Sequence, residues 1–416
     1  MLAPLRIRDF RLLWAGMTVS LLGDGLYVVA IAWQAYQISN SPYALAVTGV
    51  AWTLPTVLVL PFSGALSDRV GRRPLMIGAY VLRAVAAGAI ALLAARGGIE
   101  IWQLVVLSAV FGTGEALFNP SFVALVPEIV PDSMLVQANS LDQAMRPLAM
   151  QFLGPALGGA LVASAGTATA FALDAASFVF SAAMIVLIRA RPATRTEPRA
   201  SLFTEIGEGV AYMRREVWLW GTLLAFSITV LVFWGPIEVL VPYVIKNDIG
   251  GGAGGFGLVL AAGGAGAIAA AITTSLAGLP RQRLTLCFLA FIVAGCGTAF
   301  YGIATALWQM AVIAAVAGAC FAVGLVSWGT IMQTRVPPDL LGRVSSLDWM
   351  VSISLLPVSF ALVGPISGLV GVRQTLIAAG LGSAGVLVAA LLWLPGLRDI
   401  DRIQPVAGHP TSSGCR

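Results

Sequence analysis

Hydrophobic residues run along this chain in long blocks, each closed by charges, glycine or proline. Six fall at 12–37, 43–66, 74–95, 101–125, 143–164 and 168–189, and six more at 218–245, 254–279, 284–303, 306–330, 347–370 and 374–395. Crossing a bilayer as a helix takes about 20 mostly apolar residues. The pattern therefore predicts an all-α polytopic membrane protein with twelve transmembrane helices. The longest polar stretch, Arg191 to Glu216, carries Pro192, Pro198 and a helical apolar pattern (Ile206, Val210, Met213) suited to a membrane surface. It divides the chain into an N-terminal half (1–190), a linker (191–217), a C-terminal half (218–397) and a polar tail (398–416).

An internal repeat supports that division. Val130–Asp142 aligns without a gap on Val336–Asp348, with Val, Pro, Leu, Ser, Leu and Asp recurring in step. Each copy leads into a span holding a Gly-Pro pair, Gly154-Pro155 and Gly364-Pro365, so the fifth and eleventh spans are equivalents. Two parallel six-helix repeats are the arrangement in which a substrate site forms between halves near the bilayer midplane and access to it alternates.

Composition sharpens the picture. With 58% hydrophobic residues, 10% charged and a mean hydropathy of +0.91, a soluble globule is excluded. Of the 24 basic residues, nineteen lie on the side that carries the termini, while the opposite side has Arg96, Lys246 and Arg373. By the positive-inside rule both termini are cytoplasmic, in a multi-pass protein of the cell membrane. The net charge of +5 then reflects orientation and anionic lipid headgroups, with no nucleic-acid partner. Arg6, Arg8 and Arg11 lead straight into a run too long for a signal peptide, so the first helix is expected to stay.

Several chemistries drop out. The single histidine, His409, lies in the polar tail, so the spans hold no HExxH zinc site and no serine–histidine dyad. The single lysine, Lys246, is followed by Asn247, which leaves no Walker A loop. Cys287, Cys296, Cys320 and Cys415 form no CxxC pair and read as small packing residues. An enzyme, a metal site and a bound cofactor are not expected, and the protein is expected to be a monomer.

Between the second and third spans stands Gly64-Ala65-Leu66-Ser67-Asp68-Arg69-Val70-Gly71-Arg72-Arg73. A glycine permits close helix approach, an acid caps a facing helix N-terminus, Gly71 turns tightly and arginines pair with carboxylates or lipid phosphates. The segment resembles the GxxxD(R/K)xGR(R/K) signature of the major facilitator superfamily at every specified position. The resemblance implies a gating loop in which Asp68 docks on the start of the eleventh helix and Arg72 meets an acid at the cytoplasmic end of the fourth, assigned by position to Glu128. Gly64, Arg69, Gly71 and Arg73 complete the loop. The second half has no good copy, since Gly278-Leu279-Pro280-Arg281-Gln282-Arg283 lacks the acid.

Gly154-Pro155-Ala156-Leu157-Gly158-Gly159 resembles the end of the GPxxGG motif of antiporter branches, although the upstream glycines are absent. It reads as a hinge or as close helix packing. With Gly23-Asp24, Asn119-Pro120, Ala138-Asn139-Ser140-Leu141 and Arg343-Val344-Ser345-Ser346, the chain is similar to the exporter branch that includes macrolide and tetracycline efflux proteins and the enterobactin exporter. The resemblance implies proton-driven efflux of drugs or secondary metabolites. Its alternatives are a dedicated siderophore or lipid exporter, or a non-transporting membrane sensor.

Ionisable residues inside a membrane are costly, so each is a functional candidate that needs a partner. Asp24, mid-span in the first helix, and Glu115 in the fourth are the proton-coupling candidates. Arg83 in the third span lies at a depth that suggests a buried pair with Glu115. Asp142 and Arg146, spaced i and i+4, are expected to pair within one helix. Asp174 and Glu238 are placed near outer helix ends as solvated vestibule acids. Trp33, Trp52, Phe118, Phe233, Trp234 and Trp328 are candidate walls of a pocket for a bulky apolar substrate, or belt and packing residues.

Overall fold

The computed structural model describes residues 3–189 and 202–394. The side chains of Asp68 and Pro338, linker residues 191–201 and the tail 398–416 with His409 and Cys415 lie outside the described residues, and so does the expected docking of Asp68.

The described residues fold into fourteen principal helices: α1 (Arg8–Ile38), α2 (Pro42–Val70), α3 (Arg72–Ala95), α4 (Ile101–Ile129), α5 (Asp132–Arg146), α6 (Gly154–Val186), α7 (Leu202–Arg215), α8 (Val217–Val244), α9 (Gly252–Ala277), α10 (Arg283–Ile303), α11 (Leu307–Arg335), α12 (Pro338–Ser354), α13 (Leu356–Val370) and α14 (Val372–Trp393). Lipid offers backbone groups no hydrogen-bond partner, so bilayer-crossing segments must satisfy themselves as helices. Proline inside α2, α4, α8 and α13 is accommodated without ending the helix.

Eleven membrane-length apolar stretches are present among the described residues, where twelve separate spans are expected. The fifth and sixth spans run together as Ser133–Val186, 54 residues long. At 1.5 Å per residue such a helix would reach roughly 80 Å, far beyond a hydrocarbon core of about 30 Å. Gly166 resolves the conflict: at φ 82° and ψ 170° it turns α6 back on itself with no loop. The fifth span is therefore α5, a π-helical turn at Pro147–Leu153 and the first part of α6, and the sixth is α6 after Gly166. The eleventh is built alike, from α12 and α13.

Helix contacts repeat across the halves. α2 packs on α4 as α9 packs on α11, and α3 contacts α4 and α6 as α10 contacts α11 and α14. Two matching seams join the halves, α6 to α9 and α13 to α2, so the fifth span meets the eighth as the eleventh meets the second. This two-fold correspondence is the pseudo-symmetry that the repeat anticipates. The linker helix α7 packs against α8 and α12, and Tyr212 Oη donates to the Arg335 carbonyl at 3.4 Å.

Hydrogen bonds between the halves gather on the side away from the termini. Tyr36 Oη donates to the Val239 carbonyl at 2.5 Å, Asn40 Nδ2 to Asn247 Oδ1 at 2.6 Å, and Lys246 Nζ to the Tyr36 carbonyl. Lys246 also sits 5.9 Å above the Trp33 ring. Each half is thus held to the other at the far ends of α1 and α8.

The α6–α9 seam depends on the absence of side chains. A Cβ on Gly159 would lie 2.8 Å from Gly257 Cα, and one on Gly257 would lie 2.5 Å from the Pro155 carbonyl oxygen. Because backbone cannot yield as a side-chain tip can, Gly257→Val is expected to force the halves apart. The heat-unfolding midpoint of the purified protein should fall, whereas Gly254→Ala, whose nearest neighbours would stand 3.8 and 3.9 Å away, should leave it unchanged.

Candidate functional site: a buried charge cluster in the N-terminal half

Asp24 lies in the middle of α1 between two glycines, and each glycine admits a neighbour. A Cβ on Gly23 would meet Ser177 Oγ at 2.3 Å and Asp174 Oδ1 at 2.4 Å, both on the returning part of α6. A Cβ on Gly25 would meet Gly154 Cα at 2.6 Å, on the outgoing part. The Gly-Asp-Gly sequence therefore wedges α1 against both spans that α6 contributes. Asp24 is left pointing at α3.

Its partner is Arg83, whose Nη2 donates to Asp24 Oδ1 in a buried ion pair. Sequence alone suggests Glu115 as the mate of Arg83, and the structure corrects this. The α1–α3 approach brings Asp24 closer, while Glu115 turns towards α2 and accepts from Trp52 Nε1 at 2.7 Å. Gly114 makes the pairing feasible, since a Cβ there would lie 2.6 Å from Arg83 Cγ. The guanidinium is held between the rings of Phe111 and Phe178, each centroid 4.3 Å from Cζ. A cation over two aromatic faces and against a carboxylate recovers part of the solvation lost on burial. Arg83 Nε still finds no acceptor.

Asp174 overturns another expectation. It lies two turns beyond Gly166, roughly 12 Å along the helix, and is 0% exposed. It is not a vestibule acid, because this face of α6 packs against α1 at Gly23 and, one turn further on, Phe178 covers Arg83 of α3. Neither carboxylate oxygen accepts a hydrogen bond, and the nearby Ser177 hydroxyl donates at 2.7 Å to the backbone carbonyl of Asp174. Glu238 remains partly exposed on α8.

A small cavity opens beside the pair, lined by Asp24, Arg83, Glu115, Phe118, Asn119 and Arg146. Arg146 pairs with Asp142 at 3.0 Å, i to i+4, and lies 5.8 Å from the Phe122 ring. Phe118 lies tilted against Tyr80, ring centroids 4.7 Å apart. The other aromatic candidates lie elsewhere. Trp328, expected in a substrate pocket, is buried in the C-terminal half beside Trp218 and Phe226, and its Nε1 donates to Asp348 Oδ2 at 3.1 Å. Phe233 and Trp234 meet edge to face, and Trp234 leans on Phe321. Trp33 lies at the Lys246 closure.

The loop after α2 is anchored at two helix C-termini. Gly71, at φ 97°, turns the chain. Arg72 Nη1 then donates to Glu128 Oε1 at 2.7 Å and to the Ala124 carbonyl, pinning α4, which is the pairing expected from position. Arg73 donates from Nε to the Ile185 carbonyl at 3.0 Å and from Nη2 to that of Val186. A cation on carbonyls near a helix C-terminus is favourable twice, by hydrogen bonding and by the helix dipole. Arg69 is exposed. Of the hinge residues, Gly154 and Gly158 pack on α1 and Gly159 on α9, so the motif is a three-way contact, and a π-helical turn at Pro147–Leu153 immediately precedes it.

Two pseudo-symmetric helical halves meeting at glycine seams, with a buried charge cluster in one of them, are the architecture of a membrane transporter. Residues 1–410 match the family model described as transmembrane secretion effector, and the chain belongs to that family of major facilitator transporters. It is 27% identical over 403 residues to the multidrug efflux pump Tap of Mycolicibacterium fortuitum, covering 94% of this chain and 96% of that one. To macrolide efflux protein A of Streptococcus pyogenes it is 22% identical over 399 residues, covering 95% and 97%. A crystal structure of a bacterial homolog of the human lysosomal transporter Spinster shares the fold at a TM-score of 0.68 and 14% identity, covering 96% of this chain and 98% of that one. The protein is an efflux transporter and not an enzyme.

Arg73→Ala removes two bonds to the end of α6 and is expected to destabilise the N-terminal half by about 1–3 kcal/mol. Arg69→Ala, at an exposed position, should stay within about 0.5 kcal/mol of wild type. Heat unfolding followed by fluorescence in the same detergent compares the two.

Proposed function

We propose that this protein exports amphipathic small molecules in exchange for protons by alternating access, across the cell membrane and with both termini in the cytoplasm. Asp24 is the coupling acid. The observation that carries this reading is the buried Asp24–Arg83 pair at the edge of a cavity between α1, α3 and α4. The relatives named as multidrug and macrolide efflux proteins support the substrate class.

Mechanistically, a carboxylate held only by a buried guanidinium loses its charge when it takes up a proton. The attraction that holds α1 to α3 at mid-depth then weakens, and the energy balance between two packings of the halves changes. Protonation from the outer side favours return to the inward state after substrate leaves, and deprotonation to the cytoplasm restores the pair. Glu115 lines the same cavity with its carboxyl group held by Trp52, a second acid within reach of a cationic substrate.

Energised inverted vesicles containing the protein should accumulate fluorescent cationic or neutral drugs. Accumulation should vanish with a protonophore and in Asp24→Asn, with insertion of the variant verified. Uptake that continues undiminished after the pH gradient is collapsed would show that protons do not drive it.

A further inference from the structure

We propose that Asp174 is a second proton-carrying acid of this pocket, and that Asp24 and Asp174 exchange the Arg83 guanidinium between them. In the conformation described here Asp24 holds Arg83 and Asp174 carries the proton.

The argument is geometric. Asp174 is fully buried and neither of its oxygens accepts a hydrogen bond. An ionised carboxylate in such a place is so costly that the group neutralises instead. The nearest cation, Arg83, is committed to Asp24, and Arg146, further off, is committed to Asp142. Yet Asp174 is set up to receive Arg83. Phe178, one helical turn further along the same face of α6, carries the ring against which Arg83 lies at 4.3 Å. Asp174 Oδ1 rests on Gly23, the residue before Asp24. Arg83 retains an unused donor, Nε, while Asp174 retains two unused acceptors, so the pocket contains the parts of a second ion pair that is not made in this conformation. The groups of charge or titratable character around Asp174 are Asp24 and Tyr27 on α1 and Arg83 on α3.

The exchange balances. Asp174 releases one proton and becomes the carboxylate that pairs with Arg83, Asp24 gives up Arg83 and binds one proton, and Arg83 stays charged throughout. Asp24, Asp174 and Arg83 together carry no net charge in either arrangement, so neither leaves an uncompensated ion in the bilayer. Its place in the transport cycle rests on the proton-coupled reading above. The protonation itself does not.

Infrared difference spectroscopy of the full-length protein in lipid nanodiscs, at neutral pH, tests this through the carbonyl band of a protonated carboxyl group. Wild type should show a band that is absent from Asp174→Asn. The same band should be absent from Asp24→Asn, because there Arg83 is released and Asp174 ionises to pair with it. A band that survives in Asp174→Asn overturns the placement of the proton, and one that survives in Asp24→Asn overturns the exchange. Should Asp174→Asn fail to fold, Gly23→Ala gives a second reading, since its Cβ would press on Asp174 Oδ1 and shift the frequency of that band alone. An unshifted band in that variant counts against Asp174. None of these spectra requires transport, so loss of proton dependence in the vesicle assay with the bands as expected would remove the drive and leave the pocket chemistry intact.

Discussion

A guanidinium buried at mid-depth in a bilayer protein constrains everything around it. Arg83 cannot be neutralised at any ordinary pH, and exposing it to hydrocarbon would be prohibitive. The N-terminal half therefore closes around it: a carboxylate from α1, aromatic faces from α4 and α6, and a glycine on α4 that lets its stem pass. Removing one partner of such a pair typically costs about 3–5 kcal/mol, because the other charge is left buried alone. That cost makes the pair a strong determinant of how α1, α3, α4 and α6 sit together, and makes any change in its protonation felt by all four.

The C-terminal half follows the same helix plan without the same chemistry. Asp348 is the repeat equivalent of Asp142, but the position matching Arg146 is Ser352, and Asp348 takes its hydrogen bond from Trp328 instead. The loop after α9 likewise lacks the acid of the loop after α2. Duplication preserved the contacts that build a half, since those depend on small residues and apolar faces. The buried ion pair lies in the N-terminal half, whereas the Arg373–Asp248 pair of the C-terminal half, at 2.7 Å, is partly exposed.

Much of this architecture is legible in the sequence because the bilayer imposes a length on every span. Block edges match helix ends closely wherever the helix stops at the membrane, as at α3 (Arg72–Ala95) and α10 (Arg283–Ile303). They miss where a helix continues into water. The fifth span begins at Asp132 although its apolar block begins at 143, because the amphipathic first turns carry too many polar residues to register as membrane. The Arg72–Glu128 pair is readable from motif and position. The Arg83 partner is not, because depth counted along separate helices ignores how tightly two helices approach, and Gly23-Asp24-Gly25 brings α1 in close. Asp174 is misread for a related reason: its distance from the helix end, about two turns, says nothing of the close packing against α1 at Gly23 that shuts water out. Phe178, four residues after Asp174, is the signal that could have shown a buried face there.

The charge pocket and the seam between the halves are physically continuous. Gly25, next to Asp24, abuts Gly154, and five residues later on the same helix Gly159 abuts Gly257 of the opposite half. Both contacts are backbone against backbone. Interiors packed at this density do not deform gradually, so a shift of α1 relative to the fifth span has to be met by movement of one rigid element past another. The π-helical turn at Pro147–Leu153, immediately before Gly154, is where the fifth span has local freedom to take up such a movement, and Gly264 of α9 packs against Gln151 and Phe152 within that turn. A change of partner at Asp24 thus acts first on a glycine contact inside one half, and the next close contact along the same helix belongs to the other half.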